Sequence, residues 1–293
     1  MSVTAPEKRE RGPHVRASDD VASYLFSHTG GWQVLVVDYN NATDLKFKLA
    51  GVDTVISTVN GNAQLNLIDA AASAHVRRFV PSEFGGPPIK RPEGDPLDNK
   101  QRAAIVRLSQ LESHGMSYTV FTCGVLYERF APGGMSSSQI GVNSAIGKEG
   151  KYMLDIRQRR AQLPYNTPDG HSAKICLTGA RDVAQFVVAA MGQPSWPHEF
   201  RMRGEQMNVS ELVSEAAQAL NCTFQVSRYS RTSLTDAITS ARAVRDEAKE
   251  IQLHHLVATA EGRYDFQDAN LNQAVNHRPE KFRDYLARVW ATT

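Results

Sequence analysis

Two short apolar runs, each ending in polar, turn-forming residues, do most to limit how this chain folds: Val52-Asp53-Thr54-Val55-Ile56-Ser57-Thr58 and Arg77-Arg78-Phe79-Val80-Pro81-Ser82-Glu83-Phe84-Gly85. Runs this short and this apolar suit parallel strands covered on both faces. Between them, residues 64–74 are rich in Ala and Leu at helical spacing. Strand, helix and strand in that order imply a right-handed crossover, and hence a doubly wound α/β sheet. Ligands of such sheets gather at the carboxyl ends of the strands, which makes Ser57-Thr58 and Ser82-Glu83-Phe84 candidate binding segments. One expected piece is missing. The sequence contains no G-x-G-x-x-G and no G-x-x-G-x-x-G, the turn that lets backbone amides approach a phosphate. The expectation is a Rossmann-type sheet without its first strand and glycine-rich loop, followed by a smaller C-terminal substrate lobe.

The 293 residues are 41% hydrophobic, enough for a substantial core. A formal charge of +2, from 33 basic and 31 acidic residues, gives no general attraction to nucleic acid or to an anionic membrane. Cys123, Cys176 and Cys222 are odd in number and widely spaced, against a disulfide framework or a zinc site. The histidines are scattered, and the adjacent His254 and His255 point in different directions on a helix, so no metal is expected. Residues 1–20 are polar and read as neither signal peptide nor membrane span. A cytoplasmic location is the expectation.

The order of elements supports the same class. Residues 19–28 read as a short helix, 32–38 as a strand covered on both faces, 40–49 as a helix, 54–57 as a strand, 64–74 as a helix and 78–81 as a strand. A proline-rich loop over 85–97 is long enough to be a working loop. It leads to a helix starting near Asp98 or Asn99 and to a strand over 117–123. Periodicity then fades from Gly124 to Gly150, which places a dinucleotide-binding domain at 1–123 and a substrate lobe, with segments returning to the sheet, at 124–293. Later strands are expected at 174–177 and 200–202. Helices are expected at 180–191 and 209–220, with one long charged helix over 233–257.

Lys100 stands near the start of a helix, downstream of the Ser82-Glu83-Phe84 strand end. A lysine there is either a solvated surface residue or a proton donor tuned by desolvation or by neighbouring cations. None of the nine tyrosines has a lysine four positions later, which excludes the usual tyrosine–lysine pair of short-chain dehydrogenases. Lys100 is the best-placed alternative donor.

The segments Val52 to Ser57, Ile68-Asp69-Ala70-Ala71, Arg77 to Gly85, Lys100 and Tyr118-Thr119 resemble the NmrA-like and isoflavone reductase-like family of atypical short-chain dehydrogenases. Tyr127-Glu128-Arg129-Phe130-Ala131-Pro132-Gly133-Gly134 is similar to its fungal members. The resemblance implies NADPH on a Rossmann sheet, with Ser57, Thr58 and Val59 along the cofactor and Pro81, Ser82, Glu83 and Phe84 flanking the nicotinamide. It implies Lys100 as acid/base, while the arginine that plant members carry four positions later is here Ala104. Arg16, at the end of His14-Val15-Arg16, matches a family arginine that meets the 2′-phosphate, a group guanidinium suits; it is alternatively a solvated residue of a frayed terminus. Two functions follow. One is NADPH-dependent reduction of a small aromatic or heterocyclic metabolite, in fungal secondary metabolism. The other is a non-catalytic dinucleotide sensor that contacts regulatory proteins. A homodimer is the candidate assembly.

Among the rest, Tyr127, Phe130, Met135 and Tyr165 are candidates to line an apolar substrate pocket, although aromatics at such places commonly belong to the core. Asp182 follows a strand and begins a helix, where an acidic residue caps. Arg157, Arg159 and Arg160 read as a solvated basic face.

Overall fold

In the computed structural model the described residues are the strand 13–16, whose side chains are left aside, and 33–141, 144–167 and 170–291. The helix expected over 19–28 lies outside them. The amino-terminal elements are β1 (Pro13–Arg16), β2 (Gln33–Val36), α1 (Ala42–Lys48), β3 (Thr54–Ile56), α2 (Gly61–Ser73), β4 (Arg78–Val80), α3 (Gln101–Leu111), β5 (Ser117–Tyr118), β6 (Val120–Thr122) and β7 (Val125–Leu126). The others are β8 (Leu154–Asp155), β9 (Arg160–Leu163), β10 (Lys174–Thr178), α4 (Ala180–Ala190), β11 (Glu199–Arg201), β12 (Glu205–Asn208) and α5 (Val209–Ala219). After them come β13 (Gln225–Arg228), α6 (Arg231–Ala243), α7 (Glu247–Ala260), α8 (Asn270–Ala274) and α9 (Phe282–Trp290).

The chain divides into two compact units. The first holds the chain through Phe84 together with Asp98–Phe121 and Ala190–Phe200; the second holds Gly85–Leu97, Thr122–Ala189 and Arg201–Thr293.

In the first unit β3, β4 and β5 form a parallel sheet, with Val55 opposite Phe79 and Phe79 opposite Tyr118. Every residue of β3 is buried. Asp53 ties the amino ends of β3 and β4 together, receiving hydrogen bonds from Arg77 and, at 2.9 Å, from Arg78. Burial pushes the Asp53 carboxyl up, but the bonds from Thr54, Arg78 and Arg77 outweigh it and hold the group below its usual value. Helix α2 buries Leu67, Ile68, Ala70 and Ala71 against this sheet's core, each large side chain contributing about 1.5–3 kcal/mol. Strand β1 runs parallel to β2 in a separate two-stranded sheet. The expectation that β2 is covered on both faces fails: Gln33 and Val36 are exposed, because β1 is its one strand partner among the described residues. Asn41 caps α1 by accepting from the Asp44 N–H at 3.0 Å. The strand expected over 117–123 is broken at Thr119. The Thr119 hydroxyl donates to the Pro197 carbonyl at 2.7 Å, and the Val120 N–H donates to the His198 carbonyl.

In the second unit β10 pairs antiparallel with β12 and parallel with β7, while β9 pairs with β8 and β13. The core here gathers Tyr127, Phe130, Ile146, Leu177, Leu212 and Phe282. Loop 85–97 belongs to this unit. Lys90 donates to the carbonyls of Gly262 at 3.0 Å and Asp265 at 2.6 Å, Arg263 pairs with Asp95, and a Cβ at Gly86 would collide with the Arg263 carbonyl. The single long helix expected over 233–257 is two helices. Arg245, at φ 57°, turns the chain after α6, and Asp246 caps α7 by accepting from the Lys249 N–H.

Candidate functional site

The carboxyl ends of β3 and β4 lie side by side. The Ser57 N–H donates to the Val80 carbonyl at 2.8 Å, carrying the ladder one residue past β3 and placing Ser57-Thr58-Val59 beside Pro81-Ser82-Glu83-Phe84. Ser57 is fully buried, while Thr58 is exposed and Val59 half-buried. The Glu83 N–H turns back to the Pro81 carbonyl at 2.8 Å, and Phe84 stacks on Phe121 at 6.5 Å.

Gln64 joins this end, and the sequence reasoning missed it. Its side-chain oxygen accepts from the Ser82 N–H at 2.6 Å. The amide nitrogen of the same side chain is buried and, among the described residues, without a hydrogen-bond partner. The signal was present: Gln64 is the one polar residue on a helix face continued by Leu67, Ile68 and Ala71. A buried amide donor without a partner calls for an acceptor, because leaving it dry costs about 1–3 kcal/mol. Helix α2 also starts without a side-chain cap, since Asn60 at its N-cap makes no such bond, and of its first N–H groups the Gly61 N–H is taken by the Asn99 carbonyl.

Lys100 is the N-cap of α3 and holds a left-handed backbone, φ 62° and ψ 13°. A non-glycine residue there stores of order 1 kcal/mol of strain or more. A cation at a helix N-terminus is also opposed by the helix dipole. The residue is exposed, and its ammonium has no hydrogen-bond or ion-pair partner among the described residues. Its neighbour Asn99 accepts from the Gly61 N–H at 3.2 Å, so α2 and α3 begin together. Gly61, at φ +67°, is suited to that approach: an added Cβ would meet the Asn99 side-chain oxygen at 3.3 Å.

The structure therefore brings Ser57, Thr58, Val59, Pro81, Ser82, Glu83, Phe84 and Lys100 to one end of the first unit. Arg16 ends β1 opposite Val36, and its side chain lies outside the described residues. Tyr127, Phe130 and Met135 belong to the second unit and are core residues, 0%, 1% and 5% exposed. The Tyr127 ring packs on Phe282 and Tyr285, its hydroxyl donates to the Glu280 carbonyl, and burial pushes its ionisation far up. Tyr165 is half-buried, with Arg231 over its ring at 5.1 Å. Asp182 accepts from the Glu280 N–H and meets His277 at 2.8 Å. The cap on α4 comes instead from Glu128, whose two carboxylate oxygens both lie 3.0 Å from the Ala180 N–H. Among the described residues no cluster of three or more His, Cys, Asp or Glu could hold a metal, and no helix is long and apolar enough to cross a membrane.

Comparison with known proteins adds family and fold. An oxidoreductase of Botryotinia fuckeliana, BOA1, is 25% identical over 200 residues, covering 64% of this chain and 60% of that protein. The oxidoreductase aprR of Aspergillus flavus is 34% identical over 99 residues, 32% of this chain and 33% of its own length. The chain thus spans less than two thirds of the curated relatives it matches. Among solved structures, an isoflavone reductase aligns with 95% of this chain and 91% of its own at a TM-score of 0.70 and 15% identity. An NADPH-dependent quinone oxidoreductase from Escherichia coli, complexed with NADPH, covers 94% of this chain and 90% of its own at 0.64 and 16% identity. These likenesses show an α/β Rossmann-like fold. The model of the NmrA-like family matches residues 14–282, and with that span covered the chain belongs to the NmrA-like family.

Proposed function

We propose that this chain is an NADPH-dependent reductase of a small aromatic or heterocyclic metabolite, with Lys100 as its proton donor, and that it works in fungal secondary metabolism. The observation that carries the reading is Lys100 at the N-cap of α3 in a strained, left-handed backbone, beside the polar ends of β3 and β4. The Lys100 carbonyl accepts from the Ala104 N–H at 2.9 Å, but its ammonium makes no structural bond, and strain kept at such an exposed residue is best explained by what its side chain does.

The residues at this end fit the nicotinamide half of a dinucleotide. The orphaned Gln64 amide donor suits a ligand rich in acceptor oxygens. Thr58 and Val59 would hold the cofactor along β3, and Ser82 and Phe84 along β4. The pyrophosphate has no glycine-rich turn in this sequence to receive it. NADPH, when bound, supplies hydride. Lys100 keeps a proton at Nζ and delivers it to the oxygen on which negative charge develops. Gln64 holds the Ser82 backbone in place, and the Phe84 ring, stacked on Phe121, closes the apolar side.

A second reading, a dinucleotide sensor without turnover, is favoured by the Lys100 ammonium having, among the described residues, no partner that orients it. Titration with NADPH and NADP⁺, followed by NADPH oxidation against quinones and isoflavones, separates the two. Micromolar binding with turnover that Lys100→Ala abolishes supports the reductase, and full turnover in Lys100→Ala sinks the assignment. Binding without turnover supports the sensor. The absence of binding removes both.

A further inference from the structure

We propose that the second unit holds a binding site for a small phosphate monoester, in the cavity between the β8–β9 hairpin and the first half of α7. The cavity measures about 180 Å³. Lys151, Asp155 and Arg160 line it from the hairpin side, and Lys249, Leu253 and Leu256 from the helix. It is smaller than the roughly 300–1,000 Å³ of sites for drug-sized molecules, which sets the scale of the ligand.

Sequence spacing builds the helix wall. Lys249, Leu253 and Leu256 stand at i, i+4 and i+7 of α7 and therefore share one face, on which Lys249 is half-buried and the two leucines are buried. Lys249 lies in the first turn of the helix, where the dipole favours an acid over a cation. On the hairpin wall the burial of β9 alternates, so that Arg160 faces outward and Ala161 inward. Arg160 is the register partner of Asp155, yet among the described residues no ion pair joins them. Asp155 instead accepts from the Gln158 N–H at 2.9 Å. Met153 also lines the cavity, buried and in a left-handed backbone at φ 52°. Such strain at a residue other than glycine gathers where ligands are held.

The charged groups of Lys151, Arg160 and Lys249 have no hydrogen-bond or ion-pair partner among the described residues. Other cations of this unit are paired: Arg157 meets Glu149, Arg242 meets Glu250, and Arg283 meets Glu215. Glu250, next in sequence to Lys249, is thus already taken. Three cations around one cavity repel one another, and the single lining carboxylate leaves positive charge in excess, so an entering anion is attracted. Several cations together suit the dianion of a phosphate better than a single carboxylate does. Met153, Leu253 and Leu256 offer an apolar floor to the carbon body of the ligand, which inorganic phosphate leaves unused. Arg157 and Arg159 do not line the cavity. The basic stretch 157–160 is therefore not one uniform solvated face.

The site needs no cofactor and no residue of the first unit, so it and the reductase reading stand or fall separately. Phenyl phosphate, inorganic phosphate and phenol are titrated calorimetrically into the full chain at low salt. Phenyl phosphate is expected to saturate the protein below about 10 mM and to bind several-fold or more tightly than either of the others. Lys249→Gln should weaken its binding by about tenfold, while Arg159→Gln, which removes a neighbouring cation outside the cavity, should leave it within about twofold. Failure to saturate, equal binding of phenol or of inorganic phosphate, an undiminished affinity in Lys249→Gln, or an equal loss in Arg159→Gln would overturn the proposal. Thermal unfolding of ligand-free Lys249→Gln guards against a merely structural role. Its melting temperature should match or slightly exceed that of the wild type, because a cation leaves the first turn of α7, whereas a fall of several degrees would refute the assignment.

Discussion

The side-chain oxygen of Gln64 accepts a hydrogen bond from the backbone N–H of Ser82 at 2.6 Å, joining the first turn of α2 to the carboxyl end of β4. Both groups are buried, so neither has water to fall back on. Replacing Gln64 by Leu keeps the volume and strands the Ser82 N–H, at a cost of about 1–3 kcal/mol, but also removes the unpartnered Gln64 amide donor, so the net loss should fall below that range. Denaturant unfolding of Gln64→Leu measures this, and an unchanged midpoint would show that the bond adds no net stability.

Lys100→Gly should move stability and activity in opposite directions. Glycine accepts φ 62° without strain, so the variant should gain about 1 kcal/mol in denaturant unfolding. Under the proposed mechanism its NADPH oxidation should fall by about a hundredfold or more. Lost stability would mean that the lysine side chain holds the turn together.

Asp53 and Glu128 should give pH dependences of opposite sign. The hydrogen bonds from Thr54, Arg78 and Arg77 outweigh burial at Asp53, so its folded value lies below the unfolded one of about 4. Its contribution is present above that pH and disappears as pH falls through the lowered value. Asp53→Asn should melt lower at pH 7, with less further loss on acidification. Matching acid profiles for wild type and Asp53→Asn would contradict this.

At Glu128 burial raises the pKa more than the bond from Ala180 lowers it. Its contribution is complete below the unfolded value of about 4.3 and is lost as pH rises through the raised one. Glu128→Gln, which keeps an oxygen for Ala180, should therefore compare best with wild type at pH 8 and worst at pH 4. Melting curves at the two pH values decide the point.

Arg245 stands in a left-handed backbone between α6 and α7. Arg245→Gly should stabilise the chain by up to about 1 kcal/mol, read as a higher denaturant midpoint.

What the sequence made legible was local. Strands β3 and β4 and helix α2 announce themselves through apolar runs and Ala/Leu spacing, and the polar ends of the two strands lie side by side. Partnership over distance was not legible. Strand β2 is as apolar as β3, yet Val36 is exposed because a strand's covering depends on neighbours that the strand does not encode. Loop 85–97 reads as an appendage of the first unit, but Lys90 reaches a carbonyl 172 residues away in the second. The break between α6 and α7 falls at Val244-Arg245-Asp246, with neither glycine nor proline to mark it. The helix-capping Asp246 was the one signal available.

The left-handed turn at Lys100 also bears on how this position changes over generations. An exposed residue at positive φ is free to drift toward glycine or asparagine, which hold that backbone at ease. Lysine has no such advantage there. A lysine that persists at this turn among near relatives would record selection on the ammonium group itself, and its replacement by glycine or asparagine would identify lineages that have given up the chemistry while keeping the fold.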